Sequence, residues 1–438
     1  MNAKRKLKVR RSVYILMSLC LTAVLLGGCG KKQIQKTDNE EEAVEIPMIL
    51  TVSPTSGKKS EQELVDAFNI TYKGKYHIAV EWIMETEDDY RQNLKRLNVT
   101  DKLPAVITDL RMLPSYYRLL VEDHRIVDLA PYIEADQEWK QMIEPVVLDS
   151  CSEEDGSVYL GPVSTAAFSC SGIFWNEELF EQAGIEEFPQ TWEEFWDCCE
   201  KLQARAITPL GLHTEGTGWS AMLLATAEMA DSEEGAAFMN ELYPGSYQKD
   251  CIYHMADTLQ KLYKYTTKDA MNADFDVAYN NFIAGKSAML ANGYWMIDQL
   301  PEEFREKVRF SPFPGNKLIS SPETFGWAVV DSYSDEVKQG AVEFLKFRTK
   351  KNKKLKEDLF SQDQNTSRLL QDYIRAYRGQ PQIVPNYQVK WNSVLQESTL
   401  SEALPALAQK KITQADFVRM LTESITAVSY THLRAHET

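Results

Sequence analysis

Sequence motifs that mark several enzyme classes are missing from this chain. There is no GxSxG turn for a serine nucleophile, no HExxH zinc motif and no recognisable cysteine–histidine pair. Asn272, Asp274 and Asp276 alternate as in a calcium loop, but no glycine or closing glutamate follows at the required spacing. A helix N-cap explains these residues better. The sequence therefore predicts no catalytic residue, no metal site and no cofactor.

Positive charge is scarce. The chain has 48 Lys and Arg residues against 64 Asp and Glu residues, which gives a formal net charge of −16. Nucleic-acid binding depends on neutralising phosphates with Lys and Arg, so this balance argues against a nucleic-acid partner. Apart from the basic N-terminal residues 4–11, the lysines of residues 350–356 form the single basic run, which we interpret as a solvated helix end.

Cysteines are few and irregularly spaced. Two of the seven, Cys20 and Cys29, lie near the N-terminus, and the others are Cys151, Cys170, Cys198, Cys199 and Cys251. An odd number without a CxxC motif does not indicate a disulfide framework, and adjacent cysteines rarely bridge each other. Buried free thiols are therefore expected, although the sequence leaves open whether any two of them pair.

One long hydrophobic run, at residues 13–26, follows six basic residues and precedes Gly27, Gly28 and Cys29. This pattern predicts a lipoprotein signal peptide at residues 1–28, with Cys29 as the lipidated first residue of the mature protein. An uncleaved anchor is the alternative, but the run is short for a membrane span. Polar residues 29–46 then form a flexible tether, which predicts an extracytoplasmic protein on the cell membrane of a Gram-positive bacterium.

The last eleven residues, 428–438 (VSYTHLRAHET), resemble one reading frame of a transposase adapter used in DNA library preparation. We therefore treat the segment as a sequencing artefact and leave it out of the fold prediction. His432 and His436 fall inside it, so their i, i+4 spacing is not interpreted as a metal site.

Between the tether and this segment, strand-like and helix-like patterns alternate, which is typical of an α/β fold. Predicted strands include residues 47–52, 77–84, 105–109, 171–176 and 326–330. Predicted helices include residues 60–70, 255–265 and 335–349, and a further helix begins at Thr191, which forms a capping box with Glu194. About 380 residues usually form more than one hydrophobic core, so two domains are expected.

Residues 283–295 (IAGKSAMLANGYW) contain a Gly-Lys-Ser triplet but do not form a phosphate-binding loop. Asn280 stands where the first glycine of that motif belongs, and the pattern predicts a helix before the triplet and a strand after it. This order is the reverse of the one that binds phosphate. The segment is instead predicted to present Tyr294 and Trp295 at the end of a strand.

Four segments carry a family resemblance: residues 271–295, 174–180 (FWNEELF), 189–195 (PQTWEEF) and 326–346. Together they resemble the extracellular solute-binding proteins of ATP-driven importers, in the branch that includes maltose-binding protein. The resemblance implies a two-lobed periplasmic-binding-protein-like fold of type II, in which each lobe is a mixed sheet flanked by helices and a hinge joins the lobes. Lobe 1 would comprise residues 47–161 and 313–360, and lobe 2 residues 162–312 and 361–427.

The same resemblance implies that the protein is not an enzyme. It would be a monomeric receptor that binds a carbohydrate, an oligosaccharide in the leading interpretation, and passes it to a membrane permease. Two alternatives stay open: a ligand-sensing receptor for a signalling partner, and a cell-surface enzyme that acts on glycans. Residues 361–370 do not match the usual loop of the sugar binders, which leaves the solute open.

Sugar sites combine aromatic platforms with fixed polar groups, so the candidate ligand-binding residues are aromatic and polar residues in loops and at strand ends. By family position the platforms would be Trp295 and Trp391, with Trp219 after a glycine-rich loop and Tyr294 beside Trp295. The polar candidates are Asp109 and Arg111, beyond a strand end, and Ser164 and Thr165, at the first crossing between the lobes. For the tryptophans core packing is the alternative role, and for Asp109 and Arg111 a surface ion pair.

Overall fold

The computed structural model describes residues 43–51, 58–83, 87–108, 114–153, 155–161, 165–241, 244–320, 326–361, 366–386 and 399–435. Residues 43–438 form one compact unit. Five of the predicted functional residues lie outside the described residues: Cys29, Asp109, Arg111, Ser164 and Trp391.

Strands and helices alternate through most of the described chain. The strands are β1 Val44–Thr51, β2 Tyr76–Ile83, β3 Val106–Thr108, β4 Cys170–Asn176, β5 Thr208–Leu210, β6 Ser287–Gly293, β7 Val308–Ser311, β8 Lys317–Ser320, β9 Trp327–Val329 and β10 Gln382–Pro385. The helices are α1 Lys58–Thr71, α2 Glu87–Val99, α3 Pro114–Glu122, α4 Ala130–Ala135, α5 Gln137–Met142, α6 Pro145–Cys151, α7 Glu177–Gln182, α8 Trp192–Ala204, α9 Trp219–Met229, α10 Glu233–Asn240, α11 Asp250–Leu262, α12 Phe275–Ile283, α13 Met296–Gln299, α14 Glu302–Arg305, α15 Asp335–Ser361, α16 Arg368–Arg378, α17 Leu400–Ala408 and α18 Gln414–Ala435.

The first sheet has four strands in the order β2-β1-β3-β9. Strands β2 and β3 run parallel to β1, and β9 runs antiparallel to β3. The helix α15 packs over β1, since a Cβ on its Gly340 would lie 2.6 Å from the side chain of Ile46. The carboxyl ends of the three parallel strands meet at one edge, where open α/β sheets bind ligands.

The free edge of β2 is covered near its N-terminal end by a side chain. Asn69 on α1 donates to the carbonyl oxygen of Ile78 (3.1 Å) and accepts from the N–H of the same residue (2.7 Å). Both backbone groups point away from the sheet, and without Asn69 they would have no hydrogen-bond partner from a neighbouring strand. The amide side chain therefore takes the place of a neighbouring strand at this position.

The second sheet has six strands, in the order β10-β8-β4-β6-β5, with β7 also paired to β4. Its central strand β4 is buried along its whole length and runs antiparallel to β6, β7 and β8. The helix α9 lies within the core of this part, with residues 220–227 all buried. Its sequence is therefore apolar on all sides rather than amphipathic.

Strand pairing moves one boundary predicted from the sequence. The return to the first lobe was expected at residue 313, but β8 pairs with both β4 and β10 in the six-stranded sheet. The backbone hydrogen bonds of residues 317–320 therefore keep them in the second part. The chain re-enters the four-stranded sheet between Ser320 and Trp327.

Two of three predicted helix N-caps are confirmed. Thr191 accepts from the N–H of Glu194, whose side chain accepts from the N–H of Thr191, which completes the predicted capping box. Asp274 accepts from the N–H of Val277 (3.1 Å), as an N-cap does. Ser60 was predicted to begin its helix, but α1 begins two residues earlier, at Lys58.

Three arginines and two acids join β7, α7 and α16. Arg309 on β7 donates to both carboxylate oxygens of Asp372 (2.5 and 3.0 Å) and to Glu177 (2.8 Å). Arg375 and Arg368 add one further bond each, to Asp372 and to Glu177. The Asp372 side chain is only 3% exposed, so its charge depends on these partners.

Candidate functional site

The most exposed tryptophan of the described residues stands at the carboxyl end of β6. The strand is buried up to Gly293, after which Tyr294 and Trp295 lead into the short helix α13. The Trp295 side chain is 36% exposed. Its ring lies against Gly293, because a Cβ built on that glycine would come within 2.2 Å of the indole. Only a residue without a side chain leaves the ring in this position.

A second indole lies beside the first. Trp219 is the first residue of α9, and its ring centroid is 6.0 Å from that of Trp295, with the planes tilted by 55°. Strand β5 leads into the loop before α9 and runs parallel to β6, so their carboxyl ends meet at the same sheet edge. The loop ends at Gly218, which has φ of +58° and whose Cβ would lie 2.1 Å from Leu404. The structure therefore brings together two of the predicted platform residues.

Tyr294 has a different environment from its neighbour. Its backbone N–H donates to the carbonyl oxygen of Cys170 (3.0 Å). Its half-buried ring packs between Phe168 (5.4 Å) and Tyr373 (5.0 Å), and burial raises the pKa of its hydroxyl. These contacts make Tyr294 a support that fixes the backbone beneath Trp295.

Buried polar atoms gather near this sheet edge, and the sequence analysis did not identify them. Ser171 pairs with Gly293 across β4 and β6, and Ser320 pairs with Cys170. The hydroxyls of Ser171, Ser320 and Thr214 find no hydrogen-bond partner among the described residues. Buried polar groups normally have a partner, so these oxygens are candidates for contact with water or ligand. Serines inside apolar strands give no sequence signal of such a role.

His213, in the loop between β5 and α9, is buried and uncharged at neutral pH. Burial lowers the pKa of its imidazole to about 4. Nδ1 lies 3.2 Å from the carbonyl oxygen of Glu215, and the His213 carbonyl accepts from the Tyr263 hydroxyl (2.5 Å). Nε2 has no partner in the described part of the chain. The loop that leads to Trp219 is thus held in place by specific bonds.

Thr165 has a different role from the two indoles, because its side chain bonds to another part of the protein. It is 5% exposed, and its hydroxyl donates to the carboxylate of Glu144. The N–H of Ala167 in turn donates to the Thr165 hydroxyl oxygen (3.3 Å). The hydroxyl that was predicted to contact ligand is therefore already engaged within the protein.

Thr108 marks the end of β3, directly before the predicted polar residues Asp109 and Arg111. It is buried, and its N–H and hydroxyl both lie 3.3 Å from the hydroxyl of Tyr90. The predicted position of a strand end in front of Asp109 is confirmed.

The described residues contain no cluster of three or more His, Cys, Asp or Glu side chains suited to hold a metal ion. None of their helices is both long and apolar enough to cross a membrane. The prediction of buried cysteines without a disulfide framework is confirmed: all five cysteines in the described ranges are buried and none forms a disulfide there, and burial raises the pKa of Cys198 to about 12.

Comparison with known proteins identifies the family. Residues 63–364 match the family model described as bacterial extracellular solute-binding protein. The chain belongs to this family. The family resemblance predicted from the sequence is therefore confirmed.

A curated relative of this solute-binding protein is the xylose/arabinose-binding protein XacG of Haloferax volcanii, 21% identical over 201 residues. The match covers 44% of this chain and 43% of the relative. The solute-binding protein thus spans less than half the length of the curated relative that it matches.

Solved structures of similar fold cover more of the chain. A Streptococcus pneumoniae solute-binding protein in complex with the blood group A-trisaccharide has a TM-score of 0.65 at 17% identity, covering 88% of this chain and 100% of its own. The sugar-binding protein MalE of Xanthomonas citri has a TM-score of 0.67 at 14% identity, covering 90% and 100%. At such low identity these matches show the fold: two lobes, each a mixed sheet flanked by helices.

Because the Trp295 ring lies against Gly293, we expect Gly293→Ala to displace the indole. The new methyl group would contact the far end of the Trp295 side chain, which can move away. The free energy of unfolding should therefore change by less than about 1 kcal/mol. Indole fluorescence should shift, and ligand binding should weaken as much as in Trp295→Ala. In the Trp295→Ala background the added methyl group should have no further effect on affinity. Additive losses in the double variant would contradict this contact.

Proposed function

We propose that this solute-binding protein captures a carbohydrate, most suitably an oligosaccharide, between its two lobes and delivers it to the permease of an ATP-driven importer. The observation that carries this proposal is the indole pair of Trp219 and Trp295 at the carboxyl edge of the six-stranded sheet. A sugar ring offers an apolar C–H face and a rim of hydroxyls. The indole pair matches the apolar C–H face of such a ring.

The comparisons agree with a sugar as the solute. One solved relative is described in complex with a trisaccharide, another is described as sugar-binding, and the curated relative is described as binding xylose and arabinose. The solute of the present chain is a proposal by analogy with them. The two indole centroids are 6.0 Å apart, a distance that a single sugar ring can also span, so the preference for an oligosaccharide rests on the sequence interpretation and on the relative described with a trisaccharide.

We assign the lobes by strand pairing. Lobe 1 comprises the four-stranded sheet, at residues 44–161 and 326–360, so it begins three residues before the predicted boundary at residue 47, and lobe 2 comprises the six-stranded sheet, at residues 162–320 and 361–427. Ligand held by Trp219 and Trp295 on lobe 2 would contact lobe 1 when the two lobes close, and Trp391, Asp109 and Arg111 stay candidates from the sequence. A ligand that contacts both lobes favours the closed arrangement by its differential binding free energy, and a permease can distinguish closed from open.

The proposed location follows from the N-terminus. Lipid on Cys29, joined to the folded part by residues 30–43, would hold the receptor at the outer face of the cell membrane. The tether is polar and acidic, with Asp38 and residues 40–42 all carrying carboxylates, so it would extend into water. No catalytic step is part of this function.

The proposal is tested by a thermal-shift screen of residues 30–438 against mono- and oligosaccharides, with phosphorylated polyols and short peptides as controls. Ligand at 100 times its Kd should stabilise the fold by about 2.7 kcal/mol and raise its melting temperature. A saturable rise with one sugar, recovered intact by chromatography, supports carbohydrate capture. A rise with a control compound and none with any sugar would overturn the carbohydrate assignment.

A further inference from the structure

The carboxylate of Glu144 bonds to residues from both sides of the hinge. Glu144 directly precedes α6, in the part of the chain that builds the four-stranded sheet. Its Oε1 accepts from Lys356 Nζ (2.8 Å) and from the Thr165 hydroxyl, and its Oε2 accepts from the Tyr377 hydroxyl (2.8 Å). One carboxylate therefore has three donors from three separate segments.

These donors flank two of the crossings between the lobes. Thr165 stands between Gly161, which bridges to β9, and Cys170, which begins β4. Lys356 lies near the end of α15 on lobe 1, and Tyr377 lies on α16, which packs on lobe 2. The chain crosses between the sheets between residues 161 and 170 and again between residues 361 and 368. Glu144 thus ties both crossings to one point.

The carboxylate of Glu144 is shielded from water and ionised. The side chains of Glu144 and Lys356 are only 20% and 24% exposed. Burial acts to raise the pKa of Glu144, but the hydrogen bonds from Lys356 and Thr165 outweigh it, and the pKa lies below its ordinary value. Charge-assisted bonds in such a site are stronger and more directional than exposed ones.

A chain of contacts connects this cluster to the indole pair. One helical turn before Tyr377, the Tyr373 hydroxyl donates to the carbonyl oxygen of Ala167 (2.7 Å). The Tyr373 ring packs on Tyr294 (5.0 Å), the residue next to Trp295. A change in the bonds of Glu144 therefore reaches the helix that supports the ligand platform.

We propose that Glu144 is a positioning residue that sets the resting angle between the two lobes. Its bonds to Thr165 and Tyr377 oppose rotation of lobe 2 about the crossings, and its bond to Lys356 fixes the carboxylate on lobe 1. Loss of these bonds leaves each lobe folded and lets the angle between them change. The inference rests on the two-lobed fold and not on the identity of the solute.

The test is the distance between the lobes in the ligand-free protein. Spin labels on Val99→Cys in lobe 1 and Gln182→Cys in lobe 2 of residues 30–438, which exclude Cys20 and Cys29, are measured by double electron–electron resonance, since both positions are exposed and the five remaining native cysteines are buried. We expect Glu144→Gln to shift or broaden the distance distribution. Thr165→Val and Tyr377→Phe should each produce a smaller change in the same direction.

Glu343→Gln is the matched control, because Glu343 accepts from the hydroxyl of Tyr72 (3.0 Å) and both residues belong to lobe 1. Its distance distribution should match that of the unsubstituted protein. A Glu144→Gln distribution that superimposes on this control would overturn the proposal. If Glu144→Gln fails to fold, Tyr377→Phe decides by the same comparison. Sugar binding is not needed for any of these outcomes, so failure of the carbohydrate assignment is detected separately.

Discussion

Replacing Trp295 with alanine is expected to weaken binding of the identified sugar by roughly 10- to 150-fold, which corresponds to the loss of about 1.5–3 kcal/mol of buried aromatic contact. The ring is 36% exposed in the ligand-free protein, so its removal takes little away from the core. Isothermal titration calorimetry with the sugar found by the thermal screen measures the change. Trp295→Phe should recover most of the affinity, because a smaller aromatic face remains.

Trp196→Ala is the control for this result. Trp196 is also partly buried in lobe 2, but its indole N–H donates to Glu228 (3.1 Å) and its ring lies under Lys261. We expect this variant to lose stability and to keep its affinity for sugar. Unchanged binding in Trp295→Ala, or equal losses in both variants, would remove Trp295 from the site.

Asp372→Ala should cost about 3 kcal/mol of unfolding free energy, the lower end of the range for breaking a buried pair. The substitution leaves Arg309 with Glu177 as its remaining partner, in a site where the arginine is 22% exposed. Urea unfolding measures the loss as a lower midpoint at an unchanged slope.

Glu178→Ala provides the comparison for Asp372→Ala. Glu178 pairs with Lys307 (3.1 Å) one residue before β7, and the two side chains are 54% and 47% exposed. An ion pair so exposed contributes less than about 1 kcal/mol. Similar losses from the two substitutions would show that burial does not set the strength of these pairs.

Much of the fold could be predicted from local patterns. The strand predicted at residues 171–176 is β4, and the strand predicted at 77–84 is β2 with its ends shifted by one residue. Gly285 ends a helix with φ of +67° before β6, in the order that excluded a phosphate loop. These successes share a cause: hydrophobic period, caps and helix stops are properties of a few neighbouring residues.

What the sequence could not supply is pairing between distant segments. The register that places Ser171 opposite Gly293 joins positions more than a hundred residues apart. The same is true of β8, which was assigned to the wrong lobe, and of the bond between Glu144 and Tyr377. Such contacts leave no local pattern in the sequence. The sequence therefore predicted Thr165 as a ligand contact, whereas the structure shows that its hydroxyl donates to Glu144.

The side chain of Asn69 has a consequence for contacts between copies of this protein. Strands at the edge of a sheet can pair with the same strand in another copy. By bonding both backbone groups of Ile78, the third residue of the eight-residue β2, Asn69 interrupts the row of donors and acceptors along this edge. A second copy would have to displace this amide before it could pair along the whole of β2.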